Sequence, residues 1–196
     1  MTAARAAVLA DRAAVAQTLA RAFFDDPMIT HLLPDEARRR AKSPRLFATL
    51  FKLALPFGAC DVTDGCESVA LWRPPGQWHM PLWQYLVHGP ALLDVFGANV
   101  LNVMTAMDQV EGVHPKAPHW YLQTIGTDPA AQGKGIGGRV MRRRLARIDE
   151  TGAPAYLESS KAANIPIYQS FGFEVTGEIG IKDGPTLYAM WREPRV

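Results

Sequence analysis

Between positions 132 and 138 the chain reads Gln132-Gly133-Lys134-Gly135-Ile136-Gly137-Gly138, followed by Arg139. Glycine at alternate positions strips side chains from a backbone that something must approach closely. A helix opening there also leaves its first N–H groups unpaired and partially positive. Such a segment is an anion cradle. A pyrophosphate suits it, because consecutive N–H donors each take one phosphate oxygen while Lys134 and Arg139 supply charge nearby.

Three phosphate-binding patterns use these residue types. A Walker A loop needs glycine at position 128 and Ser or Thr after the lysine, where this chain has Asp128 and Gly135. Gly133, Gly135 and Gly138 do spell the dinucleotide pattern G-x-G-x-x-G, and Glu158 ends the next strand about where a ribose-binding acid would sit. Only 58 residues follow Gly138, however, too few to complete a doubly wound sheet and a catalytic domain. The third pattern is Gln-x-x-Gly-x-Gly, here Gln132, Gly135 and Gly137, placed between a strand ending at Thr127 and a helix with Met141, Leu145 and Ile148 on one face.

With Asn164 and Tyr168 downstream, this third pattern resembles the GNAT family of acetyl-CoA-dependent N-acetyltransferases over residues 119–192. Three stretches are similar to the puromycin N-acetyltransferase group: His119-Trp120-Tyr121-Leu122, Pro154 to Ser160, and Asn164 to Tyr168 leading into Gly172-Phe173. The resemblance implies an α/β (α+β) fold, a single domain over 1–196 with a mixed, mostly antiparallel central sheet and helices on both faces. It implies acetyl-CoA as co-substrate and no metal, with residues 119–192 as the acetyl-CoA-binding core and 74–118 as a substrate-side helical segment.

The roles follow from that resemblance. Gln132, Gly133, Lys134, Gly135, Ile136, Gly137, Gly138 and Arg139 would hold the CoA pyrophosphate. Ile125 and Thr127, on a strand that splays from its neighbour, would offer backbone groups to the pantetheine and the thioester carbonyl. Asn164 is either a ligand of the pantetheine arm or a helix cap. Tyr168 is the candidate general acid for the departing thiolate, since a phenol with an ordinary pKa of about 10 can donate a proton over a short hydrogen bond. Attack needs a neutral amine, so a base must also face the acceptor: Glu158 is the first choice, then Glu111, directly or through water, with His119 a weaker one. Expected partners are acetyl-CoA and a small-molecule or peptide amine, with no nucleic acid and no membrane; a homodimer stays open. The acceptor reading is a small aminonucleoside-type amine, against protein lysine or N-terminal acetylation and against a non-catalytic acyl-CoA sensor.

These residues must be positioned by the rest of the chain. An apolar run at Ala6 to Leu9 predicts a strand, and Asp11 a capped helix after it. Pro27 and Pro34 bracket a short helix, and Leu46, Leu50, Leu53 and Phe57 mark one face of a longer one. The runs 59–63 and 68–72 around Asp64-Gly65 read as a hairpin; with Thr63 paired to Cys66, Cys60 would lie opposite Val69, so Cys60 and Cys66 are expected to stay reduced. Gly89-Pro90 predicts a break between two helices over 79–108. Trp72, Trp78, Trp83, Tyr85 and Phe96 are the candidate aromatic lining of the acceptor side. Arg139, Arg142, Arg143, Arg144 and Arg147 are expected to be mostly solvated, one or two meeting the 3′-phosphate of CoA.

Composition limits the alternatives. The 196 residues are 48% hydrophobic and 20% charged, which suits a globule with a sizeable core. With 21 basic and 19 acidic side chains the net charge is +2, too small to argue for a nucleic-acid partner. The longest uncharged run, Pro74 to Leu93, carries four prolines, two glutamines and two histidines, a poor bilayer span. A cytoplasmic, reducing location is the expectation.

Overall fold

The computed structural model describes residues 3–79 and 82–195, the side chains of 82–88 excepted. The expected hairpin is present as β2 (Cys60–Thr63) and β3 (Ser68–Arg73), every residue of which is buried. Strands buried on both faces need cover on both, and the chain supplies it. β1 (Ala4–Ala6) pairs with β2, and β3 pairs with β4 (Trp120–Thr127). β5 (Ala155–Ser159), β6 (Glu174–Gly180) and β7 (Thr186–Arg192) complete one sheet in the order β1-β2-β3-β4-β5-β7-β6. All pairings are antiparallel except β4 with β5.

Side-chain alternation along β3 divides the core in two. Val69 and Leu71 face α1 (Arg12–Ala22), α2 (Pro27–Leu32), α3 (Glu36–Ala54), α4 (Leu82–Phe96) and α5 (Val100–Val113), through Leu19, Leu32, Phe47, Phe51, Phe96 and Ala106. Ala70 and Trp72 face α6 (Ile136–Asp149) and α7 (Ile165–Ser170). On α6, Val140, Met141, Leu145 and Ile148 are all 4% exposed or less, each contributing roughly 1.5–3 kcal/mol by burial. Beneath them Asp61 of β2, fully buried, receives Arg143 Nε at 3.0 Å and Arg144 Nε at 2.7 Å. This ties α6 to the sheet.

Several expectations shift. The first strand covers Ala4–Ala6 and not Ala6 to Leu9, because Asp11 accepts the Val8 N–H and both terminal nitrogens of Arg5, folding Leu9–Asp11 into a 3-10 turn. Asp11 therefore stands at the start of α1 without capping it. Cys60 lies opposite Leu71, not Val69: the turn spans four residues, with Cys66 at φ 57° and the Thr63 hydroxyl bonded to Glu67. Both cysteines are free. Gly89-Pro90 does not break the helix; α4 absorbs Pro90, and the chain turns at Gly97–Asn99, where Gly97 takes φ 55°. The third helix ends at Ala54, leaving Phe57 in a 3-10 turn.

By length and composition alone the segment Gly89–Val113 could cross a bilayer, with 17% of its most apolar window buried. It carries exposed Leu93, Leu101, Met104 and Val113.

Candidate active site

The loop between β4 and α6 is shaped before any ligand is considered. Asp128 caps the short turn Pro129–Ala131 by accepting the Ala130 N–H, and Arg21 of α1 holds the same carboxylate with Nε at 2.8 Å. Gln132 reaches back to donate to the Thr127 carbonyl at 3.0 Å. Gly133 and Gly135 then take φ of 74° and 67°, the left-handed region that glycine enters without strain. Gly135 occupies the N-cap position of α6 and offers no side chain to the first-turn amides. Gly137 is needed for space, since a Cβ there would sit 2.9 Å from Thr127 Oγ1. Residues 132–135 are exposed and 136–139 half-buried, a donor-rich shelf open to one side. Lys134 lies over it with its ammonium on the Ala130 carbonyl at 3.1 Å.

Beside this shelf the sheet opens. β4 and β5 pair only at Trp120↔Ala155 and Tyr121↔Tyr156, so from Leu122 onward the β5-facing edge of β4 has no ladder partner. On its other edge β4 carries a bulge at Gln123, where the β3 register steps from Thr124 to Leu122. The splay makes a cleft whose lining includes Ile125, Glu158, Ser160, Asn164 and Tyr168. Asn164 stands at the N-cap of α7 but caps nothing, so its side chain is left to the cleft. Thr127 does not line it; its hydroxyl bonds Ser68 Oγ at 2.9 Å.

Tyr168 packs against Phe173, and burial, with the nearby Asp26 carboxylate, pushes its phenol up to about 12. It keeps its proton at neutral pH. Asp26 accepts the Met28 and Ile29 amides as the cap of α2 and takes a short hydrogen bond from the Ser160 hydroxyl.

Glu158 has two neighbourhoods. It is one of the residues that line the cleft. Its Oε1 also lies 3.2 Å from His114 Nδ1; His114 Nε2 lies 3.0 Å from His119 Nε2, and His119 Nδ1 lies 2.7 Å from the Ala117 carbonyl. The Glu158 and His114 side chains are 6% and 2% exposed. Trp78 stacks on His114 at 4.0 Å, and Tyr121 and Tyr156 meet its edges at 4.9 Å. Burial, reinforced by the Glu158 charge, pushes both phenols up, and burial pushes His119 down. Among the described residues no hydrogen bond of normal geometry satisfies the buried Tyr156 hydroxyl, although it lies close enough to Glu158 to feel its charge.

An acetyltransferase (GNAT) family model matches residues 97–175, which include this loop, the splay and most of the cleft. An uncharacterized N-acetyltransferase of Schizosaccharomyces pombe is 29% identical over 173 residues, covering 81% of this chain and 68% of that protein. The crystal structure described as histone acetyltransferase HPA2 and related acetyltransferase, from Corynebacterium glutamicum, superposes with a TM-score of 0.74 at 28% identity, covering 100% of this chain and 98% of that one. The chain is thus similar to GNAT acetyltransferases, by the family model over residues 97–175 and by structure over its whole length. It is an acyl-CoA-dependent N-acetyltransferase with the mixed, mostly antiparallel sheet of that fold. Drosophila melanogaster polyamine N-acetyltransferase, 15% identical with a TM-score of 0.62 over 98% of this chain and 100% of that one, shares the fold. These relatives support the superfamily and not the puromycin group in particular.

Within the acetyltransferase, the candidate residues fall into two sets. Gln132 to Arg139 lie together on the shelf, and Glu158, Tyr168, Asn164 and Ile125 lie together in the cleft. Glu111 stands apart, its carboxylate 3.5 Å from His79. The arginine cluster is less solvated than expected: Arg144 is 4% exposed and, with Arg143, committed to Asp61, whereas Arg142 and Arg147 are exposed. Trp72 and Phe96 are core residues, 0% and 6% exposed, because each points into one of the two helix layers. The Trp83 and Tyr85 side chains lie outside the described residues. Trp78 alone of that aromatic set is seen at the site, against His114. Sequence reasoning passed over His114, Asp26 and Ser160, which no local spacing links to the loop motif.

Proposed function

We propose that this acetyltransferase moves the acetyl group of acetyl-CoA to a primary amine by direct attack in a ternary complex, and that the acceptor is a small amine. One observation carries the reading: the β4–β5 splay opens beside the glycine shelf and lines one cleft with both Glu158 and Tyr168. Bound acetyl-CoA supplies the activated acyl group. Gln132 to Arg139 hold its pyrophosphate, backbone groups of Ile125 and Thr127 and the Asn164 side chain hold the pantetheine, and one Thr127 carbonyl lone pair is already taken by Gln132. Glu158 receives a proton from the acceptor amine, and Tyr168, still protonated at neutral pH, donates one toward the departing sulfur. Enclosure of Glu158 favours a small acceptor over a protein surface, which calls for an open groove.

The decisive experiment is an amine panel with thiol-release detection that includes small alkyl- and arylamines, puromycin and a lysine peptide. Turnover of small amines with the peptide inert supports the proposal. Preference for the peptide overturns the acceptor class, and binding of acetyl-CoA with no amine turned over overturns catalysis in favour of a sensor.

A further inference from the structure

The hydrogen bonds running from Ala117 to Glu158 can be counted by protons. The Ala117 carbonyl only accepts, so His119 Nδ1 carries a hydrogen. His119 is buried and held neutral, so its Nε2 accepts, and His114 Nε2 must donate to it across 3.0 Å. Only His114 Nδ1 then remains to meet Glu158 Oε1 at 3.2 Å. When His114 and Glu158 are both unprotonated at that contact, a lone pair faces a carboxylate. One added proton resolves the contact, whichever atom holds it. The two histidines and Glu158 do not converge on a point a cation could fill, since Glu158 meets the opposite ring nitrogen of His114.

Among the described residues, no other charge-bearing group meets that contact. Tyr156 from β5 and Tyr121 from β4 stay protonated, Trp78 covers the ring, and Trp191 of β7 lies 5.5 Å from His119. Arg73 of β3 acts on Tyr121, and the pair His79–Glu111 lies outside on the exposed side. His114 itself ends α5, so its ring is placed by that helix end and clamped by the stack.

We propose that His114 is a positioning residue for acetyl transfer: backed by His119, it presents an unprotonated ring nitrogen to Glu158, so that the pair captures the proton leaving the acceptor amine. This rests on the assignment of Glu158 as the base. The chemistry requires such help, because an ordinary carboxylate titrates about six units below an alkylammonium, a poor match for proton transfer. The balance is complete. An alkylammonium and acetyl-CoA give the amide, the free thiol and one proton; the N–C bond forms as the C–S bond breaks. Of the two protons the nitrogen loses, one is made good on sulfur through Tyr168, and the other is held between Glu158 and His114 until it leaves to solvent.

The test compares pH profiles of kcat/KM for the full-length parent, His114→Gln and Glu158→Gln, on an amine the parent acetylates. Glutamine keeps a hydrogen-bonding side chain but cannot take the proton. For His114→Gln the acid limb should move about one unit or more to lower pH and the plateau should fall about tenfold, with the KM for acetyl-CoA unchanged. An unshifted limb and a plateau within twofold, alongside a Glu158→Gln variant that has lost more than about a hundredfold, overturn the role of His114 and leave the base standing. A Glu158→Gln variant at parental rates overturns the base assignment, and the proposal with it. Nitrogen-15 spectra of histidine-labelled parent protein read the same tautomers without altering His114: His119 should be in the Nδ1–H form, and the opposite tautomer there overturns the proposal even if the variant fails to fold.

Discussion

The two halves of the site are built in opposite ways. The shelf proposed to hold the cofactor is one continuous stretch, Gln132 to Arg139, whose shape comes from backbone conformation: two glycines at positive φ, a helix start without a side-chain cap, and a glycine that lets α6 approach Thr127. The proposed acid–base half is assembled from side chains far apart in sequence, with Trp78, His114, His119, Tyr121, Tyr156 and Glu158 meeting at one end of the β4–β5 pair. A site made of backbone can be written in eight consecutive residues. One made of packed side chains needs the whole sheet and two helix layers to exist first.

Substitutions should separate the halves kinetically. The largest effect is expected at Glu158→Gln, which removes the proton acceptor and keeps the shape: kcat should fall by roughly 10²–10⁴, with acetyl-CoA binding by calorimetry unchanged. Weakened acetyl-CoA binding in this variant would mean that the two halves are not separable. Tyr168→Phe comes next, at about a hundredfold in kcat. Because the parent phenol is pushed up to about 12, no alkaline limb from it should appear below about pH 10. Parental turnover with Tyr168→Phe would reduce that side chain to its packing against Phe173.

This contrast also explains what could be read without coordinates. The loop, the strand before it and the helix after it were legible because glycine spacing and an apolar face at Met141, Leu145 and Ile148 are local signals. The same holds for the hairpin. Where local signals failed, a tertiary contact had overruled them. Asp11 was drawn from α1 by Arg5 and the Val8 amide; Pro90 stayed inside α4 because the turn was made at Gly97; Arg144 left solvent for Asp61. His114 carried no signal at all, since a histidine closing an amphipathic helix reads as a polar end until Glu158, 44 residues away, is placed beside it.

A smaller effect tests the backbone half on its own terms. Gly135→Ala meets nothing within 4 Å, so its cost is conformational: an L-residue forced to φ 67° loses about 1–2 kcal/mol relative to glycine. If the shelf binds acetyl-CoA in this conformation, the KM for acetyl-CoA should rise roughly tenfold with kcat nearly constant. A change confined to kcat would show that the loop serves chemistry and not binding.

The smallest effect is on stability, and it distinguishes the halves by the pH at which each weakens. His119 is depressed by burial, so in the fold it resists a proton that the unfolded chain accepts near pH 6.5; the unfolded state then binds more protons, and stability falls as pH drops through that range. Helix α6 instead ends at Asp149, held low by Arg192, with Nη1 at 2.6 Å from it; its contribution persists above the unfolded carboxylate value of about 3.9 and is lost only as pH falls further. Acidification should therefore loosen the histidine cluster before the helix that carries the shelf. Denaturant midpoints measured from pH 7.5 to pH 5 should decline in the parent and flatten in His119→Gln, whereas Asp149→Asn should lower the curve across that range without flattening it. An equal slope in the parent and His119→Gln would remove the histidine cluster as the acid-sensitive half and leave both regions tied to carboxylates alone.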